Sequence, residues 1–327
     1  MEKTLEHLIE LFTAPDVPAW GKCEEALDPP FWQTSDEATP ADFPGEGLAR
    51  YPMLYIGEGD NRMYLINKGE IVWSYCTGKG WEYDDLWMLS NGNILFSRMG
   101  WAAEVTPKKE IVWRLDADEG DELHALQPIG LDKVLLIVNS AKPHVKIINK
   151  RTGEVEYFHE VPYEDINHPH AQFRRIRYTA QDTFLIPYLS RDCVVEYDRD
   201  FNVVWSYEIR SPWAAIRLQN GNTLITNEKD KCTCEVNPAG ELVWQISLDE
   251  LPEKYRPDDS QSCVRLKNGN TILCSRGGHG KTTQLVEVTP EKEVVWAIKD
   301  WKNLGPATAV QILSDPGISE IPGDCER

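Results

Sequence analysis

The sequence predicts an all-β fold, a ring of six four-stranded blades, and three observations carry that prediction. The first is a string that recurs. Residues 91–113 read NGNILFSRMGWAAEVTPKKEIVW, residues 220–244 read NGNTLITNEKDKCTCEVNPAGELVW, and residues 268–296 read NGNTILCSRGGHGKTTQLVEVTPEKEVVW. The second is a period. The closing pattern, a polar or glycine turn and two apolar residues before an aromatic, falls at Trp73, Trp113, Tyr157, Trp205, Trp244 and Trp296, at intervals of 40, 44, 48, 39 and 52 residues. That is the length of one four-stranded propeller blade. The third is an incomplete first copy. Three strands precede or include Trp73 (PMLYIGEG, NRMYLIN, EIVWSY), while ATAVQILSD, residues 307–315, reads as a first strand with nothing after it. The C-terminal strand is therefore expected to complete the first blade and close the ring, which removes a long exposed edge. A β-sandwich is the structural alternative, and it leaves the repeat unexplained.

Taken in order, residues 1–50 stand outside the repeat. MEKTLEHLIELF reads as a short amphipathic helix with Leu5, Leu8, Ile9 and Phe12 on one face. It lacks the basic start, uninterrupted apolar stretch and small-residue cleavage site of a secretory signal. APDVPAW, ALDPPFW and TPADFPGEG follow, with Trp20, Phe31, Trp32 and Phe43 as apolar anchors. An ordered extension lying on the propeller is expected there, with the propeller itself over 51–327. Each blade then parses as residues 213–246 do. WAAIRL is a strand, QNGN a tight turn whose Asn-Gly supplies positive φ angles, and TLITN a second strand. CTCEV is the third strand, NPAGE a turn and LVWQI the fourth, with Val, Ile, Thr and Trp filling the strands.

The chain has 327 residues, 41% hydrophobic and 27% charged, enough to bury a substantial core. Its 53 acidic and 34 basic residues give a formal charge of −19. Such a surface repels phosphate backbones and anionic membranes, so nucleic acid is not expected as a partner, and no apolar run is long enough to span a bilayer. None of the eight cysteines forms Cys-x-x-Cys. Cys232 and Cys234 fall on one strand face, better suited to packing than to a zinc site. All eight are read as reduced thiols and the protein as cytoplasmic, or as periplasmic or secreted if a leader has been removed.

Chemistry is expected at the channel mouth, where the loops leading into the first strands and those joining strands two and three gather. Aligned on IRLQNGN, the mouth positions are Asp84, His124, Phe173, Trp213, Gln261 and Ala307. They differ from blade to blade while the scaffold repeats. INHPHAQFRRIRY adds His168, His170, Arg174 and Arg175, and KGWEYDDLW adds Trp81 and Asp85. The loops between strands two and three add Trp101, Arg276 and His279. Arginine offers a planar fork to a carboxylate, sulfate or phosphate, and exposed tryptophan stacks on sugars and aromatic rings. The candidate ligand-binding set is Trp81, Asp84, Trp101, His168, Arg174, Trp213, Arg276 and His279, with His124 and His170 as catalytic candidates. No metal site and no cofactor are expected. His-Pro-His is a turn pattern, the histidines include no H-E-x-x-H, and GGHGK lacks the spacing of a phosphate loop.

The string NGN-[TI]-[IL]-[LF] followed by E-V-[TN]-P and E-[IVL]-V-W resembles the propellers of the arylsulfotransferase and PQQ-like repeat group over about residues 53–315. The PQQ-dependent dehydrogenases are the poorer match, since only NKRTGEVEY comes near their blade signature. The arylsulfotransferase resemblance implies six blades and a transient sulfohistidine at the channel mouth. His124 is the nearest match, followed by Ala125 where that family often shows Asp, with His170 and Arg174 in support. Three functions follow from these readings. The first is a module binding a small anionic or sugar-like ligand, or a protein partner. The second is an enzyme, a transferase, hydrolase or lyase, using His124 or His170. The third is a structural or assembly scaffold.

Overall fold

The computed structural model describes residues 4–18, 38–57, 62–76, 82–163 and 168–327; Trp20, Phe31, Trp32 and Trp81 lie outside these. Six four-stranded antiparallel sheets form a six-bladed propeller. The first blade is closed as the incomplete first copy requires. Its innermost strand is Ala309–Ile312, which pairs Ile56 with Ala309 and Met53 with Ile312. The remaining blades are meanders that begin at Asp85, Glu122, Arg177, Pro212 and Ser262.

Burial follows position in the blade. Second strands such as Ile94–Arg98 and Thr223–Asn227 are buried along their whole length. Outer strands such as Ile111–Asp116 and Val203–Glu208 alternate between exposed and half-buried residues. The apolar pair of the repeat therefore lies on the rim: Val112, Val203, Val204, Leu242 and Val243 are each more than half exposed. The aromatic that follows does the packing between blades. Trp73 Nε1 donates to Pro107 O at 2.9 Å and Trp244 Nε1 to Pro290 O at 2.9 Å, both in the next blade. Trp296 Nε1 donates to Gly47 O at 2.7 Å, ahead of the first blade.

A second latch uses the Asn-Gly-Asn turn. Asn222 Nδ2 donates to Glu235 in its own blade at 2.6 Å, and Arg265 of the next blade pairs with Glu235 at 2.8 Å. Asn93, Glu104 and Lys150 repeat the arrangement. Asn270, Glu287 and Arg50 repeat it again at the ring closure, with Arg50 2.9 Å from Glu287. The recurring glutamate therefore links blades as well as marking the third strand. The turn itself differs from expectation. Only the glycine adopts positive φ, 89° at Gly221. Leu218 N donates to Asn222 O at 2.8 Å and Gly221 N to Leu218 O at 2.9 Å. This is a three-residue loop ending in a left-handed glycine, not a two-residue turn with both residues left-handed.

One face of the ring is covered. Helix Leu5–Thr13 buries Ile9 and Phe12, and Phe12 meets Trp73 edge-on at 5.1 Å. A Cβ on Gly92, whose φ is 94°, would strike Leu11. The C-terminal segment crosses the same face, where the turns after the first strands lie. Glu320 accepts from Ser90 N at 2.7 Å, its carbonyl from Gly130 N at 2.9 Å, and the Glu326 carboxylate from Gln219 N at 2.6 Å. Arg327 enters the channel. It lies over Trp87 at 4.3 Å and stands 3.7 Å from buried Asp85, which also holds Arg177 at 2.7 Å. Among the described residues, no helix is long and apolar enough to cross a membrane. The reduced-thiol reading holds for Cys193, Cys232, Cys234, Cys263, Cys274 and Cys325 and fails at Cys76, which is disulfide-bonded.

Candidate functional site

The opposite face carries the loops that lead into the first strands, and three of them bring their polar residues together. The segment before Asp85 supplies Glu82 and Asp84. The strand Glu122–Ile129 supplies Glu122 and His124 at its start. Residues two apart on an extended chain share a face, so each pair projects to one side. His124 is fully buried, and its carbonyl accepts from Ser97 Oγ at 2.8 Å. His170 reaches in from the third loop, on the short turn Pro169–Ala171. Proline at the first position sets the φ of that turn, and blade three pins it: Asn139 Nδ2 donates to Pro169 O at 2.9 Å and to Phe173 O at 3.0 Å. Gln172 also bonds the Ser140 backbone on both its donor and acceptor sides, at 2.8 and 2.9 Å.

The two rings meet nearly edge-on, with centroids 5.2 Å apart. One carboxylate oxygen serves both. Glu122 Oε2 lies 2.6 Å from His124 Nε2 and 3.0 Å from His170 Nδ1. The other ring nitrogens face the loop of the neighbouring blade. His124 Nδ1 is 3.1 Å from Asp84 Oδ2 and 3.9 Å from Glu82 Oε1, and His170 Nε2 is 3.6 Å from Glu82 Oε1. Burial alone would raise the Glu122 carboxyl, but the hydrogen bonds to His124 and His170 outweigh it and hold the group down at about 2. Burial and the Arg174 charge push His124 down. The Asp84 and Glu122 carboxylates more than offset both, so its pKa is raised above the ordinary histidine value.

Beside this acidic half lies a basic one. Arg174 is buried and donates to the His170 carbonyl, with its Nη1 3.1 Å from His124 Nε2. Its guanidinium stands 5.0 Å from the Trp213 ring centroid, and Arg276 stands 5.7 Å from the same centroid. Arg276 is held by Asp259 at 2.5 Å and by Glu228. Among the described residues, Arg174 Nε and Trp213 Nε1 are buried without a hydrogen-bond partner, and so is Asp84 Oδ1. Arg175, on the alternate face, donates to the carbonyls of Arg174 at 2.8 Å and Thr308 at 3.2 Å.

Six of the residues proposed from sequence thus share the mouth: Asp84, His124, His170, Arg174, Trp213 and Arg276. His279 lies in the Arg276 loop, its backbone left-handed at φ 52° and its N–H donating to Arg276 O at 3.1 Å. His168 is exposed at the start of the Pro169 turn. Trp101 packs on Phe96 at 5.3 Å and under Arg114 at 4.3 Å, so its indole serves packing within blade two. Sequence reasoning missed Glu82, Glu122 and Asp259. A period-two scan back from Asp84 and His124 reaches Glu82 and Glu122.

No protein-family model matches the chain, and no curated protein matches it. Solved structures do. A protein of unknown function from Bacteroides caccae is 27% identical, with a TM-score of 0.71, over 79% of this chain and 97% of that one. A catalytically inactive virginiamycin B lyase from Staphylococcus aureus, solved with quinupristin, is 10% identical with a TM-score of 0.57, over 83% of this chain and 90% of that one. A streptogramin B lyase structure is also 10% identical, with a TM-score of 0.55, over 79% of this chain and 85% of that one. The two lyase likenesses show the propeller fold alone.

Proposed function

We propose that the protein binds a small anionic molecule at the channel mouth, with the anion on Arg174 and Trp213 and the remainder of the molecule over the histidine–carboxylate cluster. One observation carries the reading. Arg174 Nε and Trp213 Nε1 are two buried donors without a partner among the described residues, side by side at the mouth. A buried donor left unpaired costs about 1–3 kcal/mol, and an anion taking both removes that cost. The opposite face is crossed by the C-terminal segment, which supports this mouth as the route of approach.

The test is calorimetric titration with a panel of small carboxylates, sulfate esters and sugar acids, on the native chain and on Trp213→Phe and Arg174→Lys. Phenylalanine keeps the apolar ring and removes the N–H. A ligand found this way should bind about tenfold or more weakly to each variant, the loss expected for one hydrogen bond to a charged group. Unchanged affinity in both variants contradicts the reading.

A second reading, an enzyme of lyase or hydrolase type, is favoured by the bracketing of His124. A working histidine needs a third group to orient it, and Asp84 and Glu122 both lie within 3.1 Å of its ring nitrogens. Sulfuryl transfer has less support. Glu122 and Arg174 already occupy Nε2, and a sulfuryl group formed there would face three carboxylates. An aryl sulfate donor with a phenol acceptor should therefore give no turnover.

A further inference from the structure

We propose that Glu82, His124 and His170 form a binding site for a first-row divalent transition cation such as Zn2+, on the acidic side of the channel mouth. The inference rests on the reading of the mouth as the ligand site and deepens it.

The spacing carries the first part of the argument. One donor atom from each of Glu82, His124 and His170 lies within 4.8 Å of the other two. Donors around a tetrahedral ion bound at about 2.1 Å stand about 3.4 Å apart. Glu82 stands near that spacing, 3.6 Å from His170 and 3.9 Å from His124, and the two histidine nitrogens, within 4.8 Å of each other, would draw together on binding.

Ring orientation carries the second. A histidine that binds a metal through one nitrogen commonly has its other nitrogen held by a carboxylate, which fixes tautomer and ring plane. Here Glu122 Oε2 holds that other nitrogen on both rings, Nε2 of His124 and Nδ1 of His170. Both remaining nitrogens are turned toward Glu82 as a result.

The third part is Asp84. Its side chain is buried, and neither carboxylate oxygen has a hydrogen-bond partner among the described residues, although Oδ2 lies 3.1 Å from His124 Nδ1. A buried carboxylate oxygen without a hydrogen-bond partner is costly, and a cation at the Glu82–His124–His170 position makes Asp84 a fourth donor. The charges agree. Glu82, Asp84 and Glu122 set three carboxylates around the two rings, which favours a cation there over an anion. Two imidazoles among carboxylates suit a transition cation, whereas Mg2+ and Ca2+ take oxygen donors almost throughout. His170, half exposed, leaves the solvent side of the ion open to an anion that Arg174 also holds.

The experiment measures metal by elemental analysis on protein purified without chelators. Equilibrium dialysis of the chelator-stripped protein against Zn2+, Mn2+ and Mg2+ then follows, by the same readout. The expected result is one Zn2+ or Mn2+ per chain and no comparable uptake of Mg2+. Affinity should fall at least tenfold in His170→Ala and Glu82→Gln, and about 10–100-fold in Glu122→Gln, the usual cost of losing an orienting partner. It should be unchanged in His144→Ala, whose ring lies tilted against Phe158 elsewhere, 4.9 Å between centroids. His170 is half exposed, so its variant should fold normally, with circular dichroism as the check. Absence of stoichiometric uptake, or uptake undiminished in His170→Ala and Glu82→Gln, overturns the proposal. If the stripped protein takes up no cation yet still binds its anion through Arg174 and Trp213, the metal site is wrong and the ligand site stands.

Discussion

At the scale of single residues, the chain buries a few of its charges along the channel. Asp85 is fully buried and faces Arg177 and Arg327. Removing one partner of a buried pair leaves an uncompensated charge and costs about 3–5 kcal/mol. Asp85→Asn should lose that much in urea unfolding, whereas Asp116→Asn, on the exposed outer strand of blade two, should stay within about 0.5 kcal/mol of the native chain. Cys232 and Cys234 are pushed up to about 11 and about 12 by burial, so neither presents a thiolate at neutral pH. Both should resist iodoacetamide in the folded chain and react once it is denatured, as mass spectrometry would report. The candidate site was legible only in part at this scale. His124, His170, Arg174 and Trp213 stand out as departures from a repeating scaffold. Glu82 and Glu122 did not, because acidic residues are common in a chain of charge −19 and only the fold sets these two against the same pair of rings.

At the scale of elements, the repeat specifies joints between blades as well as strands. Glu235 is the clearest case. Burial alone would raise its carboxyl, but the hydrogen bond from Asn222 and the charge of Arg265 outweigh burial, so its pKa lies below the ordinary value of 4.5. A group depressed on folding stabilises the native state above its unfolded pKa, and that contribution is lost as pH falls through the folded value. Glu235→Gln should therefore lower stability by about 1.5–3 kcal/mol at pH 7, and the difference from the native chain should shrink below about pH 4. Thermal melts at both pH values check it. The blade count and the closing strand were legible because turns and aromatics recur at a fixed period. The latches were not, since they depend on which residues face each other across a blade boundary. The three-residue Asn-Gly-Asn turn escaped for a related reason: the dipeptide announces a hairpin, while loop length is set by the pairing of Leu218 with Asn222. Removing residues 307–327 takes away the strand that pairs with Met53–Ile56. The truncated chain should lose its cooperative melting transition in circular dichroism, and a sharp transition near the native temperature would contradict closure by that strand.

At the scale of the whole molecule, the two ends of the channel differ. One is spanned by the helix Leu5–Thr13 and by the C-terminal segment, which hydrogen-bonds to the turns of several blades and puts Arg327 into the channel. The other gathers histidines, carboxylates, arginines and one tryptophan from five blades. Composition indicated little of this, since a net charge of −19 says nothing about where the arginines stand. Topology supplied it by bringing the loops ahead of the first strands to one end of the ring. This end is the proposed ligand site. The most direct measurement is a crystal structure of the untreated protein soaked with the tightest anion from the titration panel. Density is expected within hydrogen-bond reach of Arg174 Nε and Trp213 Nε1, extending toward His170. Density confined to another surface, with Arg174 and Trp213 contacted only by water, would contradict it.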